Sequence, residues 1–224
     1  MSEGNEVLIR RRLRSPRSAA LAGILYSLLT VISMVLLSNL VTDAPADLTS
    51  DQLETWSRSA SLVLVLVPFA GIAFLWFTGV IRERIGDRED RFFATIYFGS
   101  AIALVVMTFI WAATIGAIIG TLALAADGLI DNDIYIFGFA FMNQIIGNYV
   151  VRMAGVYMLS IGSVWMRAEV MPRWLTIITF IVALGFLFFA SEIREARFIF
   201  PAWVFLVSVY LLILNYRRSN EELE

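Results

Sequence analysis

The chain is built of apolar runs of about 20 residues or more, parted by short charged blocks. As helices, such runs match the hydrocarbon thickness of a bilayer, about 30 Å. Fifty-nine per cent of the 224 residues are hydrophobic, 16% are charged and the mean hydropathy is +0.79. A soluble domain is closer to roughly 45–50% apolar. The expected fold is all-α: a polytopic membrane protein, a bundle of six transmembrane helices with long third and fourth helices. Residues 1–17 form a basic N-terminal segment, 18–216 the six-span domain and 217–224 a short tail.

The spans are expected at about 18–40, 60–81, 92–126, 134–165, 174–190 and 200–216. The first run exceeds the 7–15 apolar residues of a signal peptide, so it reads as a retained span. Pro68, followed by Ala70 and Gly71, predicts a kink in the second. The third run extends for some 35 residues, about 50 Å as a helix, and the fourth is similarly overlong. Both must tilt, break or rise beyond the bilayer. The polar stretch 41–58, with Asp43, Asp47, Asp51 and Glu54, reads as a loop.

Three missing residue types narrow the function. Without Cys there are no disulfides and no thiol chemistry. Without His the usual haem ligand, the commonest zinc ligand and the commonest general base are gone. Without Lys there is no imine chemistry. All 17 basic residues are Arg, a bias that points to a GC-rich bacterial genome. The acidic clusters do not follow known metal patterns: DGLIDND at 127–133 has the wrong spacing, and Gly86-Asp87 lacks the first glycine of a GxGD element. The sequence therefore predicts no catalytic residue, no metal and no cofactor, and the chain reads as a non-enzyme.

Arginine also orients the chain. Arg10, Arg11, Arg12, Arg14 and Arg17 precede the first span, and Arg82, Arg84, Arg88 and Arg91 fill the second connection. Arg167, Arg173, Arg217 and Arg218 continue the alternation, while the opposite side holds Arg58, Arg194 and Arg197. The positive-inside rule then places both termini in the cytoplasm of a bacterial inner (plasma) membrane, with Trp165 and Trp174 at the inner interface. The N-terminal Arg cluster is expected to meet anionic lipid headgroups. No nucleic-acid partner is expected.

One polar face interrupts the fourth run. Gln144, Asn148 and Arg152 are spaced four apart and lie within roughly 80° of one another on a helix. An arginine at bilayer depth costs about 2.5–3.5 kcal/mol or more, so this face should turn toward protein or water. Arg152 lies 13 residues, about 20 Å, from Trp165. Three readings stand: interhelical pairing with hydroxyls such as Ser33, Ser38 or Thr114; a pathway for an anion or zwitterion; or a lipid-headgroup site. No acid lies within the spans, and Glu192 at the end of the fifth is the first choice as ionic partner.

Small residues mark a second face. Ala112, Gly116 and Gly120 recur every four residues, which allows close helix approach. Packing within the chain is the primary reading, and a homodimer or a membrane-protein partner the alternative. Two functions follow: a small transporter or channel-like protein using the fourth span, or a non-transporting scaffold or accessory subunit of a larger membrane complex.

Overall fold

A computed structural model describes residues 16–38, 50–85, 91–124, 132–168, 171–189 and 196–221. All of these are helical except Met171 and Pro172. The elements are α1 (Pro16–Ser38), α2 (Ser50–Ile85), α3 (Arg91–Leu124), α4 (Asn132–Gln144), a π-helical turn (Ile145–Val150), α5 (Val151–Ala168), α6 (Arg173–Phe189) and α7 (Ala196–Glu221). α4, the π-turn and α5 follow one another without a break, so the described residues form six rods. Five carry apolar stretches long enough to cross a membrane; α6, at 17 residues, is the shorter apolar helix. The chain is a multi-pass membrane protein.

The second rod is longer than the sequence reading allowed. It begins at Ser50, so residues 50–58 are helix rather than loop. Local chemistry accounts for this. Asp51 lies in the first turn, where a negative charge favours the helix N-terminus. The Thr55 hydroxyl bonds the Asp51 carbonyl, and Glu54 pairs with Arg58 one turn on, at 2.6 Å. The last rod likewise starts early, at Ala196. α2 continues through Pro68, and the long third and fourth rods are continuous.

Packing follows a simple order. α1 lies against α2 and α7, α3 against α2 and α5, and α6 against α5. The rods meet in an aromatic knot. Tyr157 of α5 touches Phe74 of α2 (5.1 Å between ring centroids), Tyr97 of α3 (4.9 Å) and Phe200 of α7 (5.8 Å). Tyr26 of α1 stacks obliquely on Phe74 at 4.8 Å. The polar ends of the knot pair among themselves. Tyr157 donates to the Tyr97 hydroxyl at 3.2 Å, Tyr97 donates to the Thr78 carbonyl at 3.0 Å, and the Thr78 hydroxyl lies 3.2 Å from that of Tyr157. Trp203 of α7 donates its indole N–H to Thr179 of α6 at 2.9 Å, which ties in the fifth rod.

Trp165 does not face lipid, as an interfacial anchor would. It is 1% exposed and stacks on Trp203 at 5.7 Å within the core. Burial of its large ring in the knot outweighs the interfacial preference of an indole. Trp174, by contrast, is exposed. Arg167 lies 4.9 Å over the Phe93 ring, which brings the α5–α6 and α2–α3 connections to one end of the bundle.

Glycine contacts are uneven. A Cβ at Gly23 would fall 2.0 Å from Ser208 Oγ and 2.7 Å from Phe77, so α1 seats against α2 and α7 only because no side chain intervenes. Ala112 is buried, and Gly116 faces Leu64 of α2. At Gly120 a Cβ would meet nothing within 4 Å among the described residues. Gly23→Ala should therefore lower stability by about 1–3 kcal/mol through overpacking. Gly120→Ala should be neutral or gain a few tenths of a kcal/mol from helix propensity. Thermal unfolding in detergent separates them, and equal midpoints for the two variants would refute the packing assignment.

Candidate functional site

The fourth rod changes its winding where its polar residues sit. Six residues, Ile145–Val150, form π-helix between α4 and α5. In an α-helix each four-residue step drifts by about 40°. The wider π-turn offsets that drift, so Gln144, Asn148 and Arg152 form a straighter ladder than a uniform helix would give. Ile145, Ile146 and Val150 of the turn are buried, which leaves the polar side chains on the opposite face.

The ladder is hydrogen-bonded along its length. Arg152 Nη1 donates to Asn148 Oδ1 at 2.8 Å, and Asn148 Nδ2 donates to Gln144 Oε1. Its direction is forced. A guanidinium only donates, so the Asn148 oxygen must face Arg152, its amide nitrogen must face the Gln144 oxygen, and the Gln144 NH₂ must point away. Arg152 and Asn148 are half-buried and Gln144 is exposed. The ladder thus runs from a partly buried cation to an exposed donor.

α6 ends at the same level. A Cβ at Gly162 would lie 3.3 Å from Phe180, and one at Gly155 would lie 3.0 Å from the Ala183 carbonyl and 3.1 Å from Phe186 Cβ. These contacts set an antiparallel register. Arg152, one turn beyond Gly155, is level with the last turn of α6, which ends at Phe189. The final carbonyls of a helix lack intrahelical partners and carry partial negative charge. α6 has no basic residue in its own last turn, so Arg152 is the cation that α5 brings to that end.

The partners suggested by sequence fall out differently. Ser33 bonds the Leu29 carbonyl and Thr114 the Ile110 carbonyl, each within its own helix, because a hydroxyl four residues past a carbonyl finds a nearer acceptor there. Glu192 lies outside the described residues, as do the side chain of Ser38 and the N-terminal Arg cluster. The π-turn was not foreseen. Nor was the Tyr97–Tyr157–Thr78 triad, whose members lie far apart in sequence.

Behind the π-turn is a small cavity. Ile146, Val150, Val151 and Ala154 form one wall, with Tyr26, Thr30, Ser33, Thr108 and Arg197 on others. It leaves about 30 Å³ for the centres of water molecules, room for a very small number of them. Gln144, Asn148 and Arg152 are not among its walls. The ladder and the cavity are on opposite faces of the same turn. Among the described residues no group of three or more Asp or Glu is placed to hold a metal ion.

Comparison with family models, with characterised proteins and with solved structures gives no match.

If the ladder is one coupled unit, Arg152→Gln and Asn148→Ala should not add. A double-mutant cycle on unfolding stability should give a coupling of about 0.5–3 kcal/mol. Additive single effects would show that the Arg152–Asn148 bond contributes nothing to the fold.

Proposed function

We propose that the chain is a small transport protein of a bacterial plasma membrane, without enzymatic chemistry, that takes an anionic or zwitterionic solute at the Gln144–Asn148–Arg152 face. The observation that carries this reading is the polarity of the ladder, which presents a donor outward and a guanidinium behind it. An anion approaching Gln144 meets N–H first and positive charge next. π-turns within helices recur at functional sites, and this one lies between Gln144 and Arg152, with Asn148 inside it. The aromatic knot closes the bundle toward its Arg-rich end, so the conformation described corresponds to a site open to one side only.

The native chain has no Cys, so a single engineered thiol reports its own surroundings. Gln144→Cys should react with water-borne methanethiosulfonates, and several-fold faster with an anionic reagent than a cationic one. Arg152→Gln in that background should abolish the preference. No reaction with either reagent would place the face against lipid. A preference that survives Arg152→Gln would remove the arginine from the site.

In the proposed orientation both termini and the Arg-rich end face the cytoplasm. The Arg167–Phe93 contact, which joins two of the Arg-rich connections at one end, supports it. Reporter fusions at residues 87 and 130 should report opposite sides, cytoplasmic and external. A cytoplasmic signal at 130 or an external one at 87 would reverse the assignment.

A second reading, a scaffold or accessory subunit, is favoured by one feature. Phe137 and Phe141 stack in the open at 6.1 Å, beside a groove walled by Ala113, Ala117 and Thr121 of α3, on the rod that carries exposed Gly120. Gly120→Cys would cross-link two copies if that face joins them. Such dimers together with an unreactive Gln144→Cys would favour the scaffold.

A further inference from the structure

The Arg-rich end holds a second site, independent of the Arg152 face. Where α5 turns into α6, Trp165, Met166, Met171, Pro172, Arg173 and Thr176 line an open pocket of about 610 Å³. Ile177 and Phe180 complete it on the α6 side. Three features of this pocket select its occupant.

The first is a donor without an acceptor. Trp165 is buried, yet its indole N–H has no hydrogen-bond partner among the described residues. The contrast with Trp203 is direct, since the ring stacked on Trp165 spends its own N–H on Thr179. Leaving such a donor unmet inside a protein is costly, and buried polar groups normally find a partner. Met166 and Met171 stand on the same wall, and methionine side chains shift at small cost. These side chains border the same pocket as the Trp165 ring and can shift to admit an oxygen toward it.

The second feature is charge. Arg173 is exposed on the wall, and α6 begins at that residue. Leu175 and Thr176 donate their amides to the Pro172 carbonyl, at 3.1 and 3.2 Å, which leaves the amides of Arg173 and Trp174 without intrahelical acceptors at the positive end of α6. The described wall residues include a cation and no acid.

The third is an apolar track leading away. Ile177, Ile181, Leu184 and Phe188 are all exposed and follow one face of α6 at helical spacing. Trp174 is exposed beside Arg173, as befits the level of the lipid headgroups. A soluble anion would use the donors and leave the track empty. A lipid uses both.

We propose that this pocket binds the headgroup of an anionic phospholipid, its phosphate oxygens taken by Arg173 and the Trp165 N–H and an acyl chain laid along the exposed face of α6. The test is native mass spectrometry of the delipidated full chain, offered dioleoylphosphatidylglycerol, dioleoylphosphatidylcholine or inorganic phosphate. Phosphatidylglycerol should be retained about tenfold over phosphatidylcholine, the scale of one charge-assisted hydrogen bond. Arg173→Gln should bring retention of the two lipids level. Because Arg173 is exposed, that variant leaves the core intact and stands as the test even if Trp165→Phe fails to fold. A folded Trp165→Phe, which keeps the ring and removes only the donor, should also lose most of the preference, whereas Arg82→Gln at the same end should not. Equal retention of the two lipids by the native chain, an Arg173→Gln variant that keeps the preference, or displacement of lipid by inorganic phosphate would each overturn the proposal.

Discussion

The packing of this bundle converges on Tyr157. Its ring meets aromatic residues of α2, α3 and α7, and its hydroxyl closes a hydrogen-bonded triangle with Tyr97 and Thr78. Lipid tails offer helices no hydrophobic reason to associate, so packing and internal polar pairing must do it. A tyrosine suits that role because it brings a large ring and one polar atom that demands a partner. Each hydroxyl in the triangle would cost about 1–3 kcal/mol if left buried and unpaired. The triangle therefore selects the one arrangement of α2, α3 and α5 that satisfies all three groups together.

The knot also sets heights. Tyr97 is six residues, about 9 Å, from Arg91, and Thr78 is four residues, about 6 Å, from Arg82. The knot thus sits nearer the Arg-rich end, and most of the length of α2, α3 and the fourth rod lies beyond it. α6 starts at the Arg-rich end and spans only about 25 Å. Arg152 lies 15 residues, about 22 Å, from Arg167. The length of α6 and its glycine register with α5 agree on one result: the rod wall stops where the arginine begins.

The rods themselves were legible in the sequence because a bilayer imposes a length and an apolarity on each span, and both are local. The ladder was legible for the same reason, since four-residue spacing within one helix needs no tertiary knowledge. The triad of Thr78, Tyr97 and Tyr157 was not, because three polar side chains on three helices carry no mark of their partners. Trp165 misled for a related reason: an indole near a span end is read as an anchor, but here Trp203 offered it a ring to stack on. The start of α2 was hidden by its acids, which look like a loop until Asp51, Glu54 and Arg58 are placed on consecutive turns. At Gly120 the small-residue spacing of α3 continues, but no described residue packs against it, so the spacing alone did not mark a contact.

The π-turn links the knot to the ladder, since Tyr157 and Arg152 are five residues apart on α5. A π-turn holds one residue more than the α-turn it replaces, so converting it to α-helix would rotate and shift everything on one side relative to the other. The knot fixes α5, so that displacement would fall on α4 and on Gln144. Arg152 would stay level with the end of α6 while the outer part of the ladder moved. The dry side of the turn resists this, because Ile145, Ile146 and Val150 pack with Trp111 and Met34. The small cavity behind Ile146 and Val150 is a place where that packing is incomplete. A side chain that must rotate inward needs such a space, and the space lies directly behind the residues that would have to move.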